Sequence, residues 1–233
     1  MDKILLMLQL QNQLNNATNG ENWVDGITKN NKKINWKRCI YMETAEMVDS
    51  FAWKHWKNID DETNWENLKI EIVDVWHFIM SLAIERYNQE LKGIIEDLAI
   101  DISDKESFYL IDNNDEIYEK SDVILEKIED IMRNVLSKES FDLDKLINDF
   151  FILAHISGLN LNSLYKLYVG KNILNQFRQD NGYKEGKYIK IWNNEEDNVI
   201  MQRLWQENEN LKPDELYKEL QKVYSQLQKP KEV

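Results

Sequence analysis

Cysteine occurs once in this chain, at Cys39, and proline twice, at Pro213 and Pro230. A single thiol excludes an internal disulfide framework and a cysteine-built metal site, and it fits a reducing setting, the cytoplasm. With two prolines and seven glycines, helix breakers are scarce and long helices are expected. No apolar run is long enough to span a bilayer, and Met1 to Leu5 lead into Gln9, Gln11 and Asn12 without the apolar core of a secretory leader. No membrane partner is expected. Positive charge is also short: 29 Lys and Arg stand against 42 Asp and Glu, a net charge of −13. That balance argues against a non-specific nucleic-acid surface. The Walker A loop, the dinucleotide-binding glycine fingerprint and the Gly-x-Ser-x-Gly elbow are missing. His55 and His77 have no zinc spacing relative to the acids. Covalent serine or cysteine chemistry therefore has no support.

What is present is a folding chain of 233 residues, 42% hydrophobic and 11% aromatic, with eight Trp. We expect one all-α domain over 1–233: a rigid helical bundle, with 92–138 as a smaller, mobile helical insertion or lid. Helical patterns cover 2–17, 36–57, 64–92, 120–136, 141–157, 161–180, 194–209 and 213–228. Thr63 and Glu66 suggest a capping box for the third of these. The stretch 18–35 reads as a loop pinned by Trp23 and Ile27, and Gly182–Trp192 as irregular. The connection 58–63 is short, which favours antiparallel neighbours.

Two matching acidic blocks lie in the central helices, Glu43-Thr44-Ala45-Glu46 and Glu71-Ile72-Val73-Asp74. A three-residue spacing places both acids of a pair on one helix face. The flanking residues are apolar, and an acid there is costly unless compensated. Two such helices facing each other would build a nest of four carboxylates, a donor set suited to Mg²⁺. Asp49 extends the same face. Solvated surface acids are the dull alternative for any one pair; two pairs in apolar settings, joined by a short turn, favour ligands. A basic and amide-rich block follows at Lys171–Lys190. It carries Lys171, Arg178, Lys184, Lys187 and Lys190 in an otherwise acidic chain. Alone it reads as a solvated helix end, since cations favour a helix C-terminus. Beside a Mg²⁺ site it reads as a polyphosphate binder. Gln11, Asn15, Trp53, Trp56, His55 and His77 supply the amides and aromatics that can read and stack on a base.

These blocks, in this order, resemble the dimeric all-α dUTP pyrophosphatases. The stretches that carry the likeness are Leu8–Asn15, Trp36–Trp56, Glu71–Phe78, Lys171–Lys190 and Asn194–Asn198. The paired acids alone are shared with the wider all-α nucleoside-triphosphate pyrophosphatases. The Lys-Asn-x-Leu-Asn-x-Phe-Arg-Gln-Asp-x-Gly-Tyr-Lys run is far more specific, and is similar to the epsilonproteobacterial branch. The resemblance implies a homodimer that hydrolyses dUTP, and also dUDP, to dUMP. It implies two or three Mg²⁺ ions on Glu43, Glu46, Glu71 and Asp74, with Glu46 orienting or deprotonating the attacking water. It gives Lys171, Arg178, Lys184, Tyr188 and Lys190 to the phosphates, and Gln11, Asn15, Trp56, His77, Asn175 and Asn198 to the base and sugar. The rivals are a dCTP-directed or broad-specificity pyrophosphatase and a non-catalytic acidic helical adaptor.

Overall fold

The computed structural model describes residues 2–57, 62–113, 115–207 and 212–227. Ten α-helices, a 3₁₀ turn at Trp23–Asp25 and one small hairpin are found among them: α1 Asp2–Asn19, α2 Trp36–Asp49, α3 Trp65–Gln89, α4 Ile95–Ser103, α5 Phe108–Ile111, α6 Ser121–Leu136, α7 Leu143–Ile156 and α8 Leu161–Asp180, then β1 Ile191–Trp192, β2 Glu195–Glu196, α9 Asp197–Glu207 and α10 Pro213–Leu227. The chain divides into two compact units, 1–165 and 166–233, with the boundary inside α8. No described helix is long and apolar enough to cross a membrane.

The first unit is organised around α3. Ile70, Ile72, Val73, Val75, Trp76, Ile79, Met80 and Ala83 are all at most 3% exposed. Burial on every side is what a central helix requires. Its neighbours show single buried stripes instead. In α2 the buried positions are Trp36, Ile40, Thr44 and Met47, and in α1 they are Ile4, Met7, Leu8, Gln11 and Asn15, both at helical spacing. The helix α2 packs on α3 and α6, α6 on α7, and α1 on α3 and α4. Within 92–138, Leu98, Ile102, Phe108, Ile111, Ile124, Ile128 and Ile131 are buried at 3% or less. Trp76 of α3 stacks on Phe150 of α7, with ring centres 4.6 Å apart and planes 12° from parallel.

Several expected boundaries move, each for a local reason. The first strong helix ends at Asp49, not 57. Ser50 is taken by the start of α3: its carbonyl accepts from Asn64 N–H at 2.8 Å and its hydroxyl from the Asn67 amide at 2.9 Å. Thr63 is not the cap of α3. Asn64 is, its side chain accepting from Asn67 N–H at 3.1 Å, while the Thr63 hydroxyl lies 3.2 Å from that of Ser121. In the 18–35 loop Trp23 is the anchor, fully buried and edge-on to Trp36 at 5.8 Å. Ile27 does not help, being 41% exposed. The expected 58–63 connection falls largely on residues outside those described.

In the second unit an aromatic core forms around Phe177 of α8. Its ring meets those of Tyr188, Trp192, Tyr217 and Tyr224 at 5.3–6.2 Å. Leu216, Leu220 and Tyr224 form the buried stripe of α10. The helix expected from 194 starts instead at Asp197. Asn193 and Asn194 adopt left-handed φ of 52° and 73°, and pair Ile191–Trp192 with Glu195–Glu196 across a two-residue turn. Two successive positive φ values suit a hairpin, and asparagine tolerates them.

Candidate functional site

In the first unit, α2 and α3 bring three acids together. Glu43, Glu46 and Glu71 each offer a carboxylate oxygen, and these oxygens lie within 4.8 Å of one another. The cause is the packing: Thr44 and Met47 are fully buried, which leaves Glu43 and Glu46 on the flank of α2. Asp74 lies one turn after Glu71, half-buried, and stands outside that spacing. Asp49 does not join either. It ends α2 exposed, paired with Lys54 at 2.5 Å, and that hydrogen bond holds its carboxyl below the usual range. Burial and the charge of Glu43 push the Cys39 thiol up.

Oxygen atoms about 2.1 Å from one ion can stand no more than about 4.2 Å apart. Adjacent ligands of one octahedral ion stand closer, about 3.0 Å apart, so the trio, whose oxygens lie within 4.8 Å, would draw together by side-chain rotation to hold a hard divalent cation. Three anionic oxygen donors, with no soft ligand, fit Mg²⁺.

Along the other stretch of α3 runs a buried polar network. Gln11 and Asn15 of α1 are 3% and 4% exposed. Both amides donate to the Ser81 hydroxyl, at 3.0 and 2.9 Å. Gln11 also donates to Asn15 Oδ1 at 3.2 Å, and its Oε1 lies 2.6 Å from His77 Nδ1. Ser81 Oγ donates back to the His77 carbonyl at 2.8 Å. The network joins α1 to α3 and fixes the His77 ring. Ser81 was not singled out from the sequence. Its only signal is a serine inside an apolar helical run, where the hydroxyl bonds the i−4 carbonyl and leaves its lone pairs to neighbours. Trp56 is elsewhere on the surface of this unit, 61% exposed, with its ring edge-on to Trp53 and His55 at 5.5 and 4.9 Å.

The second unit holds the basic block. Arg178 of α8 grips Asp197 with two parallel bonds, Nε to Oδ2 at 2.8 Å and Nη2 to Oδ1 at 2.7 Å. Its Nη1 donates to Asn175 Oδ1 at 3.2 Å. Lys171, only 3% exposed, donates to Asn198 Oδ1 at 2.8 Å. The Tyr188 hydroxyl donates to Asp197 at 2.8 Å; burial first, then the Asp197 charge, pushes its ionisation far above the ordinary tyrosine range. Lys184 and Lys190 are exposed, Lys190 lying 3.6 Å from Glu196. The structure thus gathers Lys171, Asn175, Arg178, Tyr188 and Asn198 around one buried carboxylate. Asp197 was not among the expected site residues. In sequence it is one more acid in Glu195-Glu196-Asp197, and only burial separates it from its neighbours.

Residues 3–183 match the sequence model of a family described as dUTPase. No protein of curated function matches the chain.

Proposed function

The chain belongs to the dUTPase family and is a hydrolase of the dUTP diphosphatase type; from that premise we propose how its own residues carry the reaction. The observation that supports the reading most directly is the close approach of Glu43, Glu46 and Glu71 across α2 and α3. These three, with Asp74, hold Mg²⁺, two or three ions when substrate is bound. A metal held there would supply neutralisation of phosphate charge and activation of a water near neutral pH. Glu46, the exposed member of the trio, orients the attacking water, and one of its carboxylate oxygens takes the proton.

Lys171, Arg178, Lys184, Tyr188 and Lys190 bind phosphate oxygens and stabilise charge on the departing diphosphate. Trp56, with an exposed ring, stacks on the uracil. Gln11, Asn15 and His77 hold the base and sugar, with Ser81 keeping the amides in place. Asn175 and Asn198 contribute to sugar recognition while they accept from Arg178 and Lys171. The products are dUMP and diphosphate from dUTP, or dUMP and phosphate from dUDP. The working form is a cytoplasmic homodimer.

The test is a substrate panel of dUTP, dUDP, dCTP, dTTP and UTP, run with Mg²⁺ and with EDTA and read by chromatography. Mg²⁺-dependent conversion of dUTP and dUDP to dUMP, with the other three largely untouched, is expected. Comparable conversion of dCTP or of all five would overturn the specificity, and no conversion by folded protein would overturn the reading.

A further inference from the structure

The first turn of α9 is a collecting point for the basic block. Asp197 is fully buried, and its carboxylate takes two bonds from Arg178 and one from Tyr188. Its backbone N–H donates to the Lys190 carbonyl at 3.0 Å, which ties the segment carrying Tyr188 and Lys190 to the same point. Tyr188 is held from its other side too. The Tyr224 ring of α10 stacks on it at 5.1 Å, 15° from parallel, and the Tyr224 hydroxyl accepts from Ile189 N–H at 3.0 Å. A carboxylate so far from water persists only when paired, and its pairing fixes the geometry of whatever pairs with it. Apart from Arg178, the residues that make these contacts lie beyond residue 183, where the family match ends.

We propose that Asp197 is a positioning residue for the phosphate-binding side chains: it sets the plane of the Arg178 guanidinium and, by accepting the hydroxyl hydrogen, the place of the Tyr188 side chain. This rests on the assignment of Arg178 and Tyr188 to substrate phosphates. By cancelling the guanidinium charge, Asp197 also makes Arg178 act through the direction of its N–H groups more than through net attraction.

The experiment measures inorganic diphosphate binding, in the presence of Mg²⁺, by calorimetry on the full chain. The proteins are wild type, Asp197→Asn, Tyr188→Phe, Arg178→Gln and the double variant Arg178→Gln/Asp197→Asn. Kinetics with dUTP are run alongside. Asp197→Asn should bind diphosphate at least tenfold more weakly and raise KM by a similar factor, with kcat changed less than threefold. Its Mg²⁺ binding without diphosphate should match wild type. The double variant should bind more weakly than Arg178→Gln only by the severalfold share that Tyr188 carries, well short of the product of the two single losses, because groups acting as one unit are not additive. Wild-type affinity in Asp197→Asn, or losses that multiply in the double variant, would overturn the proposal. Should Asp197→Asn fail to fold, Tyr188→Phe decides: it keeps the ion pair, a severalfold loss is expected, and an unchanged affinity overturns the idea. A wild type that binds no diphosphate overturns it as well. A wild type inactive on dUTP, but whose diphosphate binding depends on Asp197, refutes the substrate assignment and leaves the positioning role standing.

Discussion

Replacing Glu46 by glutamine should make the metal-free protein more stable and the enzyme nearly inactive. Three carboxylates whose nearest oxygens lie within 4.8 Å repel one another when all are ionised. At that separation one pair costs about 0.9 kcal/mol in bulk water, and about 3.5 kcal/mol at the effective dielectric of a protein surface. Glu46 is exposed, so the lower figure governs. With two neighbours, its neutralisation relieves about 1–2 kcal/mol. For a chain of this size that is a rise in Tm of about 2–8 °C in EDTA. With Mg²⁺ the order should reverse. Saturation at a hundred times Kd stabilises wild type by about 2.7 kcal/mol, a rise of about 5–11 °C. The Glu46→Gln protein, short of one anionic ligand, should show only a small part of it. Turnover of dUTP should fall by about 10²–10⁴, the usual worth of a positioned base. Thermal melts with and without Mg²⁺, paired with product assays, provide the readout. A variant that melts lower than wild type in EDTA, or that keeps the full Mg²⁺ shift, would refute the reasoning.

Other consequences can be checked separately. Ser81→Ala removes the acceptor shared by the Gln11 and Asn15 amides; a loss of about 2 kcal/mol in urea unfolding is expected, with a raised KM for dUTP. Gly158→Ala should destabilise by about 1–3 kcal/mol, because Gly158 sits at φ +77° with the Tyr118 ring against it; an unchanged unfolding midpoint would contradict that packing. Tyr217 is pushed up to about 12, by burial first and then by its hydrogen bond to Asp180. The unfolded tyrosine ionises near 10 while the folded one stays protonated, so its contribution is full below pH 10 and is lost between pH 10 and about 12. Tyr217→Phe should flatten the fall in stability across that window, as measured by urea midpoints.

Much of the helical layout was legible because periodicity and caps agree along the chain. The helical pattern over 161–180 agrees with a cap at Asn160, whose Oδ1 accepts from the N–H groups of Asn162 and Ser163, both at 2.9 Å. What escaped the sequence depends on partners far along the chain. The end of α2 at Asp49 is set by α3, fifteen or more residues on, through Asn64 and Asn67. The hairpin at 191–196 hides in Asn193-Asn194, a turn signal without glycine and with strands of only two residues. At the candidate site the acidic blocks were visible as a repeated spacing. The sequence pairs Asp74 with Glu71 as firmly as it pairs Glu43 with Glu46, yet only the packing of α2 on α3 decides which oxygens approach. Asp197 shows the converse: nothing in its neighbours distinguishes it, and its importance arises from burial alone.

One helix, α3, carries Glu71, His77 and Ser81 along its length. At about 1.5 Å per residue, Glu71 and His77 are separated by about 9 Å, and Glu71 and Ser81 by about 15 Å, along a rod whose apolar residues are buried around it. Such a rod works as a ruler. On the proposed assignment, the distance between the end that would meet charge and the end that would meet polar, uncharged chemistry is set by covalent geometry and cannot relax without disturbing the core. Recognition of this kind measures a molecule's length as well as its groups. A single residue inserted between Glu71 and His77 would shift one end by about 1.5 Å and turn it by about 100°, and would erase that measurement while leaving every side chain in place in the sequence.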